Sequence, residues 1–165
     1  MTEKKAGKTS RKKTGQPVKE ETSPARQNDL RIIWEGWAIF SETELRELIN
    51  TVYAGYRYRG AQLEKMSRLI SFLASEENRF SLPEMIEHSR RLSDFMETFR
   101  DFLNRNFYSG EPAEDGEAVY QFQPEGTSYE TEAFLGEFQL ISLDIEKAYR
   151  NYRQTASNSF NIQLG

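Results

Sequence analysis

From Leu45 to Leu73 the large apolar residues recur at alternating steps of four and three: Leu45, Ile49, Val52, Tyr56, Leu63, Met66, Ile70 and Leu73, with one place skipped at Arg59. A chain written this way buries one long stripe, and a helix is the conformation that gathers such a stripe on one side. Its start is marked by Phe40-Ser41-Glu42-Thr43-Glu44-Leu45, where Ser41 and Glu44 have capping-box spacing and Phe40 and Leu45 have that of a hydrophobic staple. Carried on to Ser75, the helix would cover 41–75, roughly 52 Å at 1.5 Å per residue. Gly55 and Gly60 interrupt it, each costing about 1 kcal/mol against Ala. The register agrees on both sides, which favours one helix bent there over two short ones.

The same start recurs at Phe80-Ser81-Leu82-Pro83-Glu84-Met85. The stripe that follows, Leu82, Met85, Leu92, Met96, Phe99 and Leu103, predicts a second helix over 82–108, ending before Ser109-Gly110. A third, over 128–156, begins at Thr127 or Ser128 and carries Phe134, Phe138, Ile141, Ile145, Ala148 and Tyr152 at the same steps. The fold class expected is therefore all-α, an antiparallel bundle of three long helices. A small β element falls between the second and third, where Ala118–Gln123 alternates like a strand. Residues 30–40, apolar on nearly every side, can be helix, strand or an extended arm.

Charge divides the chain further. The formal net charge is -4, yet residues 1–27 hold eight basic side chains against three acids, while no Lys or Arg stands between Asn106 and Glu146. The first 28 residues contain too little apolar surface to offset their ordering entropy, so a disordered basic tail is expected at 1–28, a bundle domain at 29–157 and a flexible C-terminus at 158–165. No apolar h-region follows the basic residues and no apolar run approaches 18 residues, which gives the expectation of a cytoplasmic or otherwise intracellular protein without a membrane segment.

Several chemistries lack their residues. With no cysteine and one histidine, thiol nucleophiles, thiolate metal sites and any site needing two imidazoles are excluded. His88 has no accompanying nucleophile motif. Met85, not a glutamate, stands three residues before it, unlike the Glu-x-x-His of carboxylate-bridged metal bundles. There is no Gly-x-Gly-x-x-Gly and no Walker loop. The expectation is a non-enzyme with no cofactor, no metal and no small-molecule substrate.

Two stretches stand out as contact surfaces. Tyr53-Ala54-Gly55-Tyr56-Arg57-Tyr58-Arg59-Gly60 interleaves tyrosine with arginine, the residue types that stack on bases and bind phosphates. Helical periodicity instead packs Tyr53 and Tyr56 in the seam and leaves Tyr58 half exposed. Trp34 and Trp37 are large anchors of the kind found at interfaces as well as in cores. A first reading is a structural or adaptor subunit that docks onto other proteins or self-associates, with Trp34, Trp37, Tyr56, Tyr58 and Arg59 as the candidate interface. The alternative is an accessory subunit of a nucleoprotein complex, holding an RNA or DNA backbone through the tail residues Lys12 and Lys13 with Arg57, Arg59, Lys65 and Arg68.

In outline, a small helical chain with the capped start Ser41-Glu42-Thr43-Glu44-Leu45-Arg46-Glu47-Leu48 and a Tyr-rich closing helix resembles the small subunits that line CRISPR effector complexes. That resemblance covers helix starts and length, carries over no residues, and implies the nucleoprotein alternative.

Overall fold

The computed structural model describes residues 23–122 and 128–165. Within them the chain is mostly helical, with five α-helices, one 3-10 turn and three short strands. The expected tail residues 1–22, Lys12 and Lys13 among them, lie outside the described residues, as does Thr127, one of the two proposed starts of the last helix.

Ser23 accepts a hydrogen bond from the Arg26 amide (3.2 Å), and Pro24 fits the first turn, where no amide donor is needed. Helix α1 therefore begins at Pro24 and runs to Ile39. Residues 24–28, which composition assigns to the tail, are helical, and the apolar 30–40 segment is helix rather than strand or arm. Its crowding with large side chains is used inward: Ile32 and Ile33 are fully buried, and Gly36 lets Leu69 and Phe72 come close.

Helix α2 spans Glu42–Gly55 and starts with the capping box read from the sequence: Ser41 Oγ accepts from Glu44 N (3.2 Å), and Glu44 Oε2 accepts from Ser41 N (2.8 Å). It does not continue to Ser75. Tyr56 adopts a left-handed conformation (φ 51°), strand β1 occupies Arg57–Arg59, and helix α3 covers Gly60–Ala74. The periodicity agreed across the break because α2 and α3 bury their stripes in one core. The two glycines mark its ends. At Gly60 a side chain would meet the Tyr120 ring at 3.2 Å, so the segment carrying Tyr120 can approach closely.

A 3-10 turn at Glu76–Asn78 leads to helix α4, Pro83–Asn106. Its start differs from the predicted box. Pro83 takes the first turn, and the free amides of Ser81 and Leu82 donate to the Asp29 carboxylate of α1 (2.8 and 3.0 Å), which is only 2% exposed. Phe107 and Tyr108, which spacing adds to the end of this helix, instead form strand β2 with Ser109 (Phe107–Ser109).

Strand β3, Val119–Phe122, lies between β1 and β2, antiparallel to both, with Arg57 and Tyr108 both opposite Gln121. Within the predicted alternation at 118–123, Val119–Phe122 form a strand paired with β1 and β2, and Gln123 lies outside the described residues. Helix α5, Ser128–Phe160, packs chiefly along α4. It outlasts its expected end near Ser157: Phe160 and Leu164 are buried, and Arg26 lies over the Phe160 ring (4.7 Å). The expected flexible C-terminus is therefore packed onto the core as far as Leu164. Instead of a three-helix bundle, the first predicted helix is divided, an additional helix precedes it, and a small sheet closes one end.

Two groups tie the start of α2 to α5. Glu42, at the start of α2, accepts from Arg46 (2.7 Å) and from Arg153 of α5, and the Tyr149 hydroxyl donates to the Phe40 carbonyl. Phe134 of α5 joins the sheet to the helices, stacking on Phe122 (4.1 Å) and on Phe102 (5.3 Å) and meeting Phe107 and Tyr56. In equilibrium denaturation, Phe134→Ala should lower stability by about 3–5 kcal/mol. Asp29→Ala, which leaves two buried amides without an acceptor, should cost about 2–3 kcal/mol, and Asp29→Asn less. Equal stability of Asp29→Ala and wild type would show that water replaces the carboxylate.

Candidate functional site

The alternation of β1 divides the Tyr-Arg stretch between two faces. Tyr58 points inward, 2% exposed, between Tyr120 (5.3 Å) and Phe107 (5.1 Å). Tyr56 is partly buried against Phe122 and Phe134, while Tyr53 is exposed on α2. The helical expectation for Tyr53 and Tyr58 is therefore reversed. Of the candidate interface, Tyr58 belongs to the core. Trp37 is half-buried edge-on to Tyr149 (5.8 Å), and Trp34 is outward and 47% exposed.

Arg57 and Arg59 fall on the outer face of the sheet, where Val119 and Gln121 complete the floor of an open cleft of about 740 Å³. Its wall is the loop carrying Glu111, Glu114 and Asp115. Arg59 Nη1 bridges Asp115 (2.9 Å) and Glu117 (2.6 Å), and Gly116 turns the loop between them with φ 81°. These acids raise the affinity of the guanidinium for its proton. Asp115 is held below its ordinary value, first by the Glu117 amide and then by Arg59. The skipped place in the apolar seam is thus an ion-pair anchor for an acidic loop more than fifty residues away.

The other proposed phosphate contacts are also engaged. Lys65 donates to Glu44 (2.7 Å), and Arg68 reaches Glu64 (3.4 Å). Burial alone would raise the Glu44 carboxyl, but hydrogen bonds from Lys65 and Ser41 and the Lys65 charge outweigh it and hold it low. Arg57 is exposed and makes no ion pair with a described residue. It stands in a row with Gln121 and the exposed Tyr108. Arg59 and Lys65 line one small pocket together with Glu44 and Glu117, and the charge of Arg68 opposes that of Lys65, so these described cations are neighbours, each engaged by an acid.

A different surface escaped the sequence reading. On α5, Tyr129, Ala133, Gly136, Leu140 and Leu143 also step by four and three, on the side opposite the buried Phe134, Phe138 and Ile145. Leu140 and Leu143 are 67% and 65% exposed, and nothing stands within 4 Å of where a Gly136 side chain would project. The signal was present as a second apolar stripe at helical spacing. The larger aromatic stripe on the same helix masks it. Lys147 and Arg150 continue this side, whereas Glu130, Glu132 and Glu137 lie at its other end. No described helix is long and apolar enough to cross a membrane.

Two measurements follow from the electrostatics. Burial, with the nearby Tyr120, pushes the Tyr58 hydroxyl up to about 12 from 10.0, and burial raises Tyr149 and Tyr152 as well. A raised folded-state value means that the stabilisation is whole below pH 10.0 and is lost as pH climbs through about 12. Tyrosinate absorbance from these three should therefore rise together with the loss of helical circular dichroism; ionisation while helicity is intact would contradict their burial. Arg59→Ala should leave the melting temperature nearly unchanged, because the pair is exposed, but speed amide exchange at Gly116 and Glu117. Unchanged exchange would mean that the ion pairs do not hold the loop.

Comparison with protein-family models, with curated proteins and with solved structures finds no match to this chain.

Proposed function

We propose that this protein is a non-enzymatic adaptor or assembly subunit that docks onto a protein surface through the outward face of α5. The observation that supports the reading is the pair Leu140 and Leu143, about two-thirds exposed on the side opposite the core. Single exposed leucines are ordinary on any surface. Here they are aligned with Tyr129, Ala133 and Gly136 at the spacing of a helix-packing seam, and such a face gains by being covered. Trp34, on α1, is a further outward aromatic.

The nucleoprotein alternative keeps one supporting feature, the row Arg57, Gln121 and Tyr108 on the outer sheet face, to which a basic tail would add charge. Against it stand the acids that already engage Arg59, Lys65 and Arg68. A phosphate backbone entering the cleft would also meet the acidic wall at Glu111, Glu114 and Asp115.

The test is co-purification of the tagged full chain from its own cells, in parallel with Leu140→Glu/Leu143→Glu. The wild type should carry a stoichiometric protein companion or its own multimer, and the variant should lose it at least about tenfold with unchanged circular dichroism. A companion held equally by both proteins would overturn the assignment to this face. Nucleic-acid absorbance that leaves at high salt and depends on Arg57 would support the alternative instead.

A further inference from the structure

The α5 face has an order along its axis. Its middle is apolar, with Leu140 and Leu143. Towards the N-terminus it carries Ala133 and Gly136 flanked by Glu130, Glu132 and Glu137, and towards the C-terminus it carries Lys147 and Arg150, with Asp144 and Glu146 at its two edges. Neither Lys147, Arg150 nor Glu132 makes an ion pair with a described residue, whereas the next cation, Arg153, is committed to Glu42, and Glu137 is paired with Arg105 of α4 (3.3 Å). An occupant must therefore present an apolar centre, an acidic end facing the two cations and a basic end facing the glutamates. Helix α5 itself is such an occupant once it is turned end for end.

Resting on the docking reading above, we infer that the occupant is a second copy of this chain, its α5 packed antiparallel against the first about a two-fold axis between Leu140 and Leu143. That axis sets Leu140 beside Leu143 of the second copy. Lys147 then lies across from Gly136, whose bare backbone leaves room for the lysine to reach towards Glu132. Arg150 comes beside Ala133 and Glu132, and Tyr129 lies opposite Gln154. A two-fold contact of this kind uses the same patch on both subunits and closes on itself. The seam from Tyr129 to Gln154 is about 38 Å long at 1.5 Å per residue. A parallel pair would set glutamates against glutamates and cations against cations, and would align the helix dipoles unfavourably.

The chain contains no cysteine, so single introduced thiols report the arrangement directly. In the full-length protein, Leu140→Cys mixed with Leu143→Cys, and Tyr129→Cys mixed with Gln154→Cys, should form disulfide-linked heterodimers under oxidising conditions. Tyr129→Cys alone should link to itself far less. Sedimentation should give a dimer whose affinity falls at high salt. Arg150→Glu should weaken it at least about tenfold, and adding Glu132→Arg to the same chain should restore it. Tyr129→Cys linking preferentially to itself would overturn the antiparallel pairing, and a monomer at every concentration would overturn self-association. If that monomer still captures another protein in a Leu140- and Leu143-dependent way, the docking reading stands and only the choice of occupant fails; if it captures nothing, both fall.

Discussion

The left-handed residue at Tyr56 decides the layout of the molecule. Were it helical, α2 would run on through Gly55 and Gly60 as one rod, and Arg57–Arg59 would have no strand to offer. Because the chain turns there, the Tyr56 carbonyl accepts from Phe122 N (2.8 Å), and Gly60 N donates to the Ala118 carbonyl (2.9 Å). These bonds bracket the β1–β3 pairing. They also draw in the acidic loop that Arg59 then fastens. A bulky residue with positive φ is costly, and here the packing of the Tyr56 ring on Phe122 and Phe134 offsets that cost.

The sheet is too small to be stable alone: its strands are three or four residues long. Its inner rows are aromatic, Phe107 and Phe122 in one and Tyr58 and Tyr120 in the next, and Phe134 seats the first of these rows on the end of α5. Buried aromatic rings in offset or edge contact add stabilisation beyond their area. The strands consequently act as a lid over the aromatic end of the α4 and α5 pair, and their outer face carries Arg57, Arg59 and Gln121 beside Val119 and Tyr108.

Local signals were legible in the sequence wherever the partners are local. The Ser41–Glu44 box lies within four residues and forms as spaced. The same spacing at Ser81–Glu84 does not decide that helix start, because the buried Asp29, fifty-two positions earlier, takes the amides. Tyr58 shows the same limit. A helical period places it at the surface, but the strand period places it inside, and pairing with residues around sixty positions later selects the strand. Arg59 was legible as an exception to the seam; its acidic partners were not, since charge alone carries no address. The outward stripe on α5 was readable by the same counting that found its aromatic stripe, and was outweighed by the larger side chains.

The tie between the start of α2 and the last helix also has a temporal side. Tyr149 meets the Phe40 carbonyl across 109 positions, and Arg153 meets Glu42 across 111. A ribosome adding about 10 residues per second takes on the order of 10 s to cross that gap. Until then the Glu42 carboxylate has only Arg46, four residues along its own helix, and the α1–α2 joint lacks its cover. Every newly made copy therefore passes through an interval of seconds in which its first two helices exist without the element that closes them.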